Sequence, residues 1–241
     1  MIVSFLAGAV GSMGGPGGLI ITPFLIATGL PPATAVGTTK LSAIGMWIIT
    51  LMKFHAADQI RWHRVPAMML ISLIGGVIGA YLMVSMSDQT AYPVVGVLLL
   101  LIAPLALWKP SLGLTEIETT SAQRTLGYIL YFLITVFGGF FGGGTGVLII
   151  IALCWCWGWT ALQAHASDIP GWLLMLVVTS VIFVVHDRVV YSFAVYMFVG
   201  LALGGYVGSH LAIRGGSRLV RNIAVGFAAL VGAKLLVQAF S

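Results

Sequence analysis

Charge is what this sequence has least of. Asp, Glu, Lys and Arg make up 7% of its 241 residues, against roughly a quarter in an ordinary soluble domain. A water-soluble fold of this size needs far more polar surface, so that class is excluded. Acidic side chains number 6, too few to build a carboxylate-rich cation site. Cysteine is nearly absent: Cys154 and Cys156 lie two apart in an apolar run, which excludes a disulfide framework. They point to different sides of a helix and lack neighbouring ligands, so no metal site is expected. The net charge of +5 comes from positives set singly at segment ends. No basic run with interleaved aromatics exists, so no nucleic-acid partner is expected. No nucleophile–base pair, P-loop or zinc-hydrolase motif is present. Neither an enzyme nor a resident cofactor is expected, and no long channel-type filter appears. No basic region precedes the first apolar residues, so no cleavable signal is expected.

What is abundant is apolar length. Hydrophobic residues make up 60% of the chain and mean hydropathy is +1.10. A helical span needs about 20 such residues, and lipid admits only helices or closed barrels. The runs are too unbroken for barrel strands, which alternate over roughly 10 residues. The expected fold is an all-α integral membrane protein. Its apolar segments are 1–13, 18–29, 34–53, 65–84 and 91–108, then 125–138, 146–157, 160–185, 192–212 and 219–239. The polar stretch 109–124 is the natural linker, giving a first membrane repeat over 1–108 and a second over 125–241.

The two halves match. An offset of 129 sets Ala35 on Ala164, Thr50 on Thr179, Phe54 on Phe183, Asp58 on Asp187 and Met68 on Met197. It also sets Gly75, Gly76 and Gly79 on Gly204, Gly205 and Gly208. An offset of 128 sets Gly11, Gly14, Gly15 and Gly18 on Gly139, Gly142, Gly143 and Gly146. Internal duplication is a recurring transporter design. The Gly75 and Gly204 clusters read most simply as helix-packing faces.

Each half carries a glycine-rich break, Gly14-Gly15-Pro16-Gly17-Gly18 and Gly142-Gly143-Gly144-Thr145-Gly146. Glycine weakens a helix by about 1 kcal/mol per residue relative to alanine, so each stretch splits into two short arms. A broken arm of 12 to 15 residues is about 18–22 Å long, short of the roughly 30 Å hydrocarbon core. Each stretch is then either a broken span or a re-entrant hairpin. Positive charge separates the two. With hairpins the halves are inverted, and Lys53, Arg61, Arg64, Lys109, Arg124, Arg214, Arg218 and Arg221 share the cytoplasmic side, opposed by Arg188 alone. With broken spans, Arg214, Arg218 and Arg221 fall opposite the rest. The positive-inside rule favours inverted repeats.

The breaks are also the first candidates for chemistry. A helix that starts inside the membrane presents unpaired N–H groups and the positive end of its dipole. Gly15, Pro16, Gly17 and Gly18 with Gly143, Gly144, Thr145 and Gly146 would form an anion cage at the repeat interface. The alternative is close helix packing, which the same small-residue spacing serves. Next come Thr38, Thr39 and Lys40, matched by Ser167, Asp168 and Ile169. Their hydroxyls suit an oxyanion. Lys40 costs about 3 kcal/mol in an apolar helix, so it faces a cavity, pairs with Asp168, or snorkels to the interface. His165 and Asp168, three apart, share a helix face and are candidates for proton coupling or for a plain polar pair. Trp47 and Trp172 lie deep enough to wall a cavity, whereas the other tryptophans read as interfacial anchors.

This order of motifs resembles the sulfite exporter TauE/SafE family. The resemblance rests on Gly14 to Gly18, Pro23, Ala35-Val36-Gly37-Thr38-Thr39 and Gly75-Gly76 with Gly79, repeated as Gly142 to Gly146 and Gly204-Gly205 with Gly208. It implies a secondary membrane transporter, commonly outward, for small sulfur-containing anions such as sulfite or organosulfonates such as sulfoacetate. The expected partners are that anion and the lipid bilayer, with a homodimer possible, in a bacterial inner membrane. The membrane potential favours anion exit by about 2.3 kcal/mol per charge per 100 mV, so export needs no coupling ion, whereas uptake does. A passive anion channel and proton-coupled uptake of a small organic anion are the competing readings.

Overall fold

The computed structural model describes residues 1–87, 89–91 and 113–240, with the backbone alone for Arg221 and for 223–240. Nearly all of segment 91–108, and the linker as far as 112, lie outside the described residues, as does the repeat boundary read at 108.

Among the described residues the chain is helical throughout. The first half holds α1 (Ile2–Ser12), α2 (Gly17–Ala27), α3 (Pro32–Ala56) and α4 (Val65–Ser85), the last entered through a 3-10 turn, Trp62–Arg64. The second holds α5 (Ser121–Phe140), α6 (Thr145–Trp157), α7 (Ala161–Val185) and α8 (Tyr191–Phe240). Helix α8 carries one non-helical residue, Gly216, where two helical stretches meet. Pro32–Ala56, Trp62–Ser85, Ala161–Val185 and Tyr191–Val220 are each long and apolar enough to cross a membrane. The 11 residues of α2 and the 13 of α6 are not; at 1.5 Å per residue they reach only about 16 and 20 Å.

Local chemistry sets the ends. Helix α5 begins at Ser121, four residues before the apolar run at 125, because Thr120 and Gln123 form a capping box that satisfies donors at the helix start. Ser121 to Arg124 therefore form the first turn of α5. Thr160 and Gln163 cap α7 in the same way. Helices α3 and α7 close alike: Asp58 and Asp187 adopt φ of 52° and 54°, and the next amides, Gln59 and Arg188, donate back to Phe54 and Phe183. This is a Schellman closure with Asp where Gly is usual. Other left-handed residues pair at the sequence offsets too: Gly14 with Gly142, and Gly29 with Gly158.

The packing exchanges partners between halves. Helix α1 lies along α8 and α5 along α4, while α3 contacts both α7 and α8. The glycines of α4 and α8 are these seams: a Cβ on Gly79 would strike the Val136 carbonyl, and one on Gly208 the Ala9 carbonyl. Helices α3 and α7 are central, with 56% and 61% of their most apolar stretch buried against 44% for α4 and α8. The outer faces are apolar stripes at matched positions. Leu70, Ile74, Ile78 and Leu82 on α4 answer Val199, Leu203, Val207 and Leu211 on α8, all exposed. In water such stripes would make a large unstable patch; against lipid they are the expected surface.

Candidate functional site at the paired helix breaks

The two breaks face each other. Between α1 and α2 the chain turns through Gly14 at φ 81°, and between α5 and α6 through Gly142 and Gly144 at 86° and 82°. Any other residue type there is strained. A Cβ on Gly18 would lie 3.0 Å from the Gly143 Cα, and one on Gly146 would lie 3.6 Å from the Gly14 carbonyl oxygen. The backbones themselves therefore meet at the repeat interface.

Beside this contact is a cavity of about 80 Å³, enough for several waters or one compact anion at roughly 10–15 Å³ per water on this measure. Gly15, Pro16, Gly17 and Gly18 line it from the first break, and Gly143, Gly144, Thr145 and Gly146 from the second. Helix α3 adds Thr39, Lys40 and Trp47, and α7 adds Asp168 and Trp172. The two indoles sit 6.2 Å apart, tilted by 57°. Thr38, Ser167 and His165 do not line it. Successive residues turn by 100° along a helix, and here the turn carries Thr38 and Ser167 to the side of their helices away from the cavity. The Thr38 hydroxyl donates to the Thr34 carbonyl and accepts from the Val190 N–H. Ser167 accepts the Arg61 N–H at 2.9 Å. The His165 ring turns to the Ser12 carbonyl, with Nε2 at 2.9 Å, and meets Phe54 edge-on. His165 and Asp168 thus bond to different partners, and no direct relay joins them.

Helices α2 and α6 start at Pro16 and Gly144 with no side-chain cap, as do α1, α3 and α4. The Gly17 and Leu19 amides of α2 turn back to the Gly15 and Pro16 carbonyls, and the remaining first-turn N–H groups have no partner within their helix. The cavity hydroxyls are already spent: Thr39 donates to the Ala35 carbonyl and Thr145 to the Gly142 carbonyl, each at 2.8 Å, and Thr22 donates to the Thr39 hydroxyl oxygen at 3.4 Å. Backbone amides and Lys40 remain as donors. Lys40 is 3% exposed, and its Nζ donates to the Gly138 carbonyl at 2.6 Å. This carbonyl belongs to the last turn of α5, where a cation is favoured. Lys40 makes no ion pair with Asp168: the salt bridge found among the described residues joins Arg61 and Glu116. The ammonium keeps further hydrogens for a ligand.

Asp168 accepts a 2.7 Å hydrogen bond from the Tyr131 hydroxyl on α5. Ser72 on α4 lies against the same phenol: a Cβ on Gly171 would come within 2.9 Å of the Tyr131 oxygen and 3.0 Å of the Ser72 Oγ. Sequence reading missed both residues. The available signal was the need of a buried phenol for a partner, set beside a carboxylate with the same need. At the rim, Glu116 pairs with Arg61 and accepts from Gln163 Nε2 at 2.6 Å. The Gln163 hydrogen bond and then the Arg61 charge hold the Glu116 carboxyl below the usual glutamate range.

A family profile described as "Sulfite exporter TauE/SafE" matches residues 1–235. The chain belongs to the sulfite exporter TauE/SafE family. Curated relatives of this TauE/SafE member carry the same kind of name. "Probable membrane transporter protein YfcA" of Escherichia coli K12 is 28% identical over 97% of this chain and 87% of its own length. A "probable membrane transporter protein" of Haemophilus influenzae is 25% identical over 97% of this chain and 92% of its own length. No solved structure matches. The family and these relatives are membrane transporters, not enzymes. With four helices of spanning length, this TauE/SafE protein is a multi-pass membrane protein.

Proposed function

We propose that this protein is a secondary carrier of small sulfur-containing anions, sulfite or a compact organosulfonate such as sulfoacetate, in a bacterial inner membrane. The observation that carries this reading is the convergence of two uncapped helix N-termini and one buried lysine on one small cavity. Backbone amides and a single cation bind an oxyanion while desolvating little countercharge. The family's description supports sulfite and the outward direction. Cavity size supports a compact anion. Inverted repeats with re-entrant breaks are part of the proposal, supported by the charge count and by the short lengths of α2 and α6.

Purified protein in liposomes tests it with sulfite, sulfate, thiosulfate, sulfoacetate and taurine. Flux stimulated by unlabelled anion on the far side marks a carrier. Flux without trans-stimulation would assign a passive channel, and no flux of any sulfur anion would sink the reading. Single cysteines at Arg64 and Arg188 test the topology: inverted repeats require labelling from opposite sides.

A further inference from the structure

We propose that Asp168, hydrogen-bonded by Tyr131, carries a proton that crosses the membrane with the anion, one for one. This rests on the cavity being the anion site. The argument is one of charge. Among the described residues the cavity holds one cationic side chain, Lys40, and one carboxyl, Asp168, 3% exposed each. Empty, it is balanced as ammonium and carboxylate. Admitting a monoanion alone leaves an unbalanced negative charge in a low-dielectric interior. Admitting the anion with a proton restores balance, because a neutral Asp168 leaves Lys40 as the countercharge. In so small a cavity the anion and an ionised Asp168 sit within roughly 6 Å, where repulsion at an effective dielectric of 20 corresponds to about a hundredfold in affinity. By linkage, the bound anion favours protonation of Asp168 by the same factor.

The surroundings can accept either state. With Asp168 ionised, the Tyr131 hydroxyl donates to Oδ1. On protonation a new O–H bond forms on the carboxyl, taking its proton from water in the cavity. The Tyr131 oxygen can accept that proton in a hydrogen bond while its own hydroxyl turns to Ser72. Among the described residues no other titratable group competes at this wall. Helix α3 presents Lys40, while His55 is exposed; α4 presents Ser72, with Tyr81 exposed; α5 presents Tyr131. From α6 the lining is glycine and Thr145, and Cys154 faces Gly113 instead. Helix α8 contributes Leu201, with Tyr196, Tyr206 and His210 on its outer face. On α7 itself, His165 is turned to Ser12. The empty and loaded forms carry the same charge, so net flow follows the anion and pH gradients together, the membrane potential drops out, and export requires an internal anion excess larger than the opposing pH gradient.

The test uses the full chain in liposomes with methanesulfonate, a sulfonate that stays ionised, and an entrapped pH dye. Wild type is expected to accumulate it about tenfold per pH unit, acid outside, with matching proton entry and no response to a potassium diffusion potential. Asp168→Asn is expected to lose proton entry and pH-driven accumulation, and whatever counterflow it retains is expected to lose its pH dependence. Tyr131→Phe is expected to keep counterflow and accumulation with a displaced pH profile. Accumulation driven by the pH gradient in Asp168→Asn, or potential-driven uptake in wild type, would overturn the proposal, while intact wild-type counterflow leaves the carrier reading standing. A second readout needs no transport: a protonated-carboxyl infrared band that titrates in wild type and is missing in Asp168→Asn. Absence of that band from wild type at every pH also overturns it.

Discussion

Lys40→Met isolates the charge on which anion binding turns. Methionine keeps most of the stem length and apolar bulk but removes the ammonium. Two unit charges about 4 Å apart at an effective dielectric of 20 attract by about 4 kcal/mol. Part of this is already answered by the Gly138 carbonyl, which receives the ammonium at 2.6 Å. The expected rise in KM for counterflow is therefore about a hundredfold to a thousandfold. Stability moves little. The Gly138 carbonyl loses one donor, worth about 1 kcal/mol, while a buried ammonium and its desolvation disappear. Counterflow kinetics in liposomes, read beside the melting temperature in detergent, separate the two effects. Lys40→Arg keeps the charge in a larger planar group and is expected to fall between. A Lys40→Met protein with wild-type KM would refute the placement of the anion beside this side chain.

The seam glycines make a stability prediction. Gly79→Ala drives a Cβ into the Val136 carbonyl and to 2.5 Å from the Phe140 nitrogen. It is expected to cost about 1–3 kcal/mol, as is Gly208→Ala at the matched seam; unchanged melting temperatures would contradict the packing. Thr145→Val removes the hydroxyl that ties the second break to the Gly142 carbonyl. It is expected to slow counterflow severalfold through the shape of the break, with expression intact, and a wild-type rate would show that the tie is dispensable. The Glu116 carboxyl is depressed in the folded state, so its contribution is present above the unfolded glutamate range and lost as pH falls through the folded value. The exchange protection factor of the Ile117 amide, which donates to the Gly158 carbonyl, is expected to fall in acid, and Glu116→Gln is expected to remove that change in protection.

The long helices were legible because lipid writes them plainly: a span is a run of apolar residues with punctuation at each end. The start of α5 was readable but passed over, since a capping box at Thr120 lies in a polar stretch and hydropathy ignores it. The site was legible where backbone defines it. Glycine breaks announce themselves by composition, and the eight residues expected to form the cage line the cavity, whereas Gly14 of the first break does not. Side-chain direction was harder to read. Thr38 and Thr39 are neighbours in sequence, yet only the second reaches the cavity, because a helix turns them apart. Tyr131 and Ser72 come from helices far away in the chain, and no local pattern ties them to Asp168.

The glycine seams have a mechanical consequence. Where helices interlock through side chains, ridges sit in grooves and sliding must climb out of register. Along α1–α8, α4–α5 and the meeting of the two breaks, carbonyls and Cα atoms touch where side chains would mesh. Such contacts have no teeth. Along these seams neighbouring helices can slide without losing an interlocked side chain at each step.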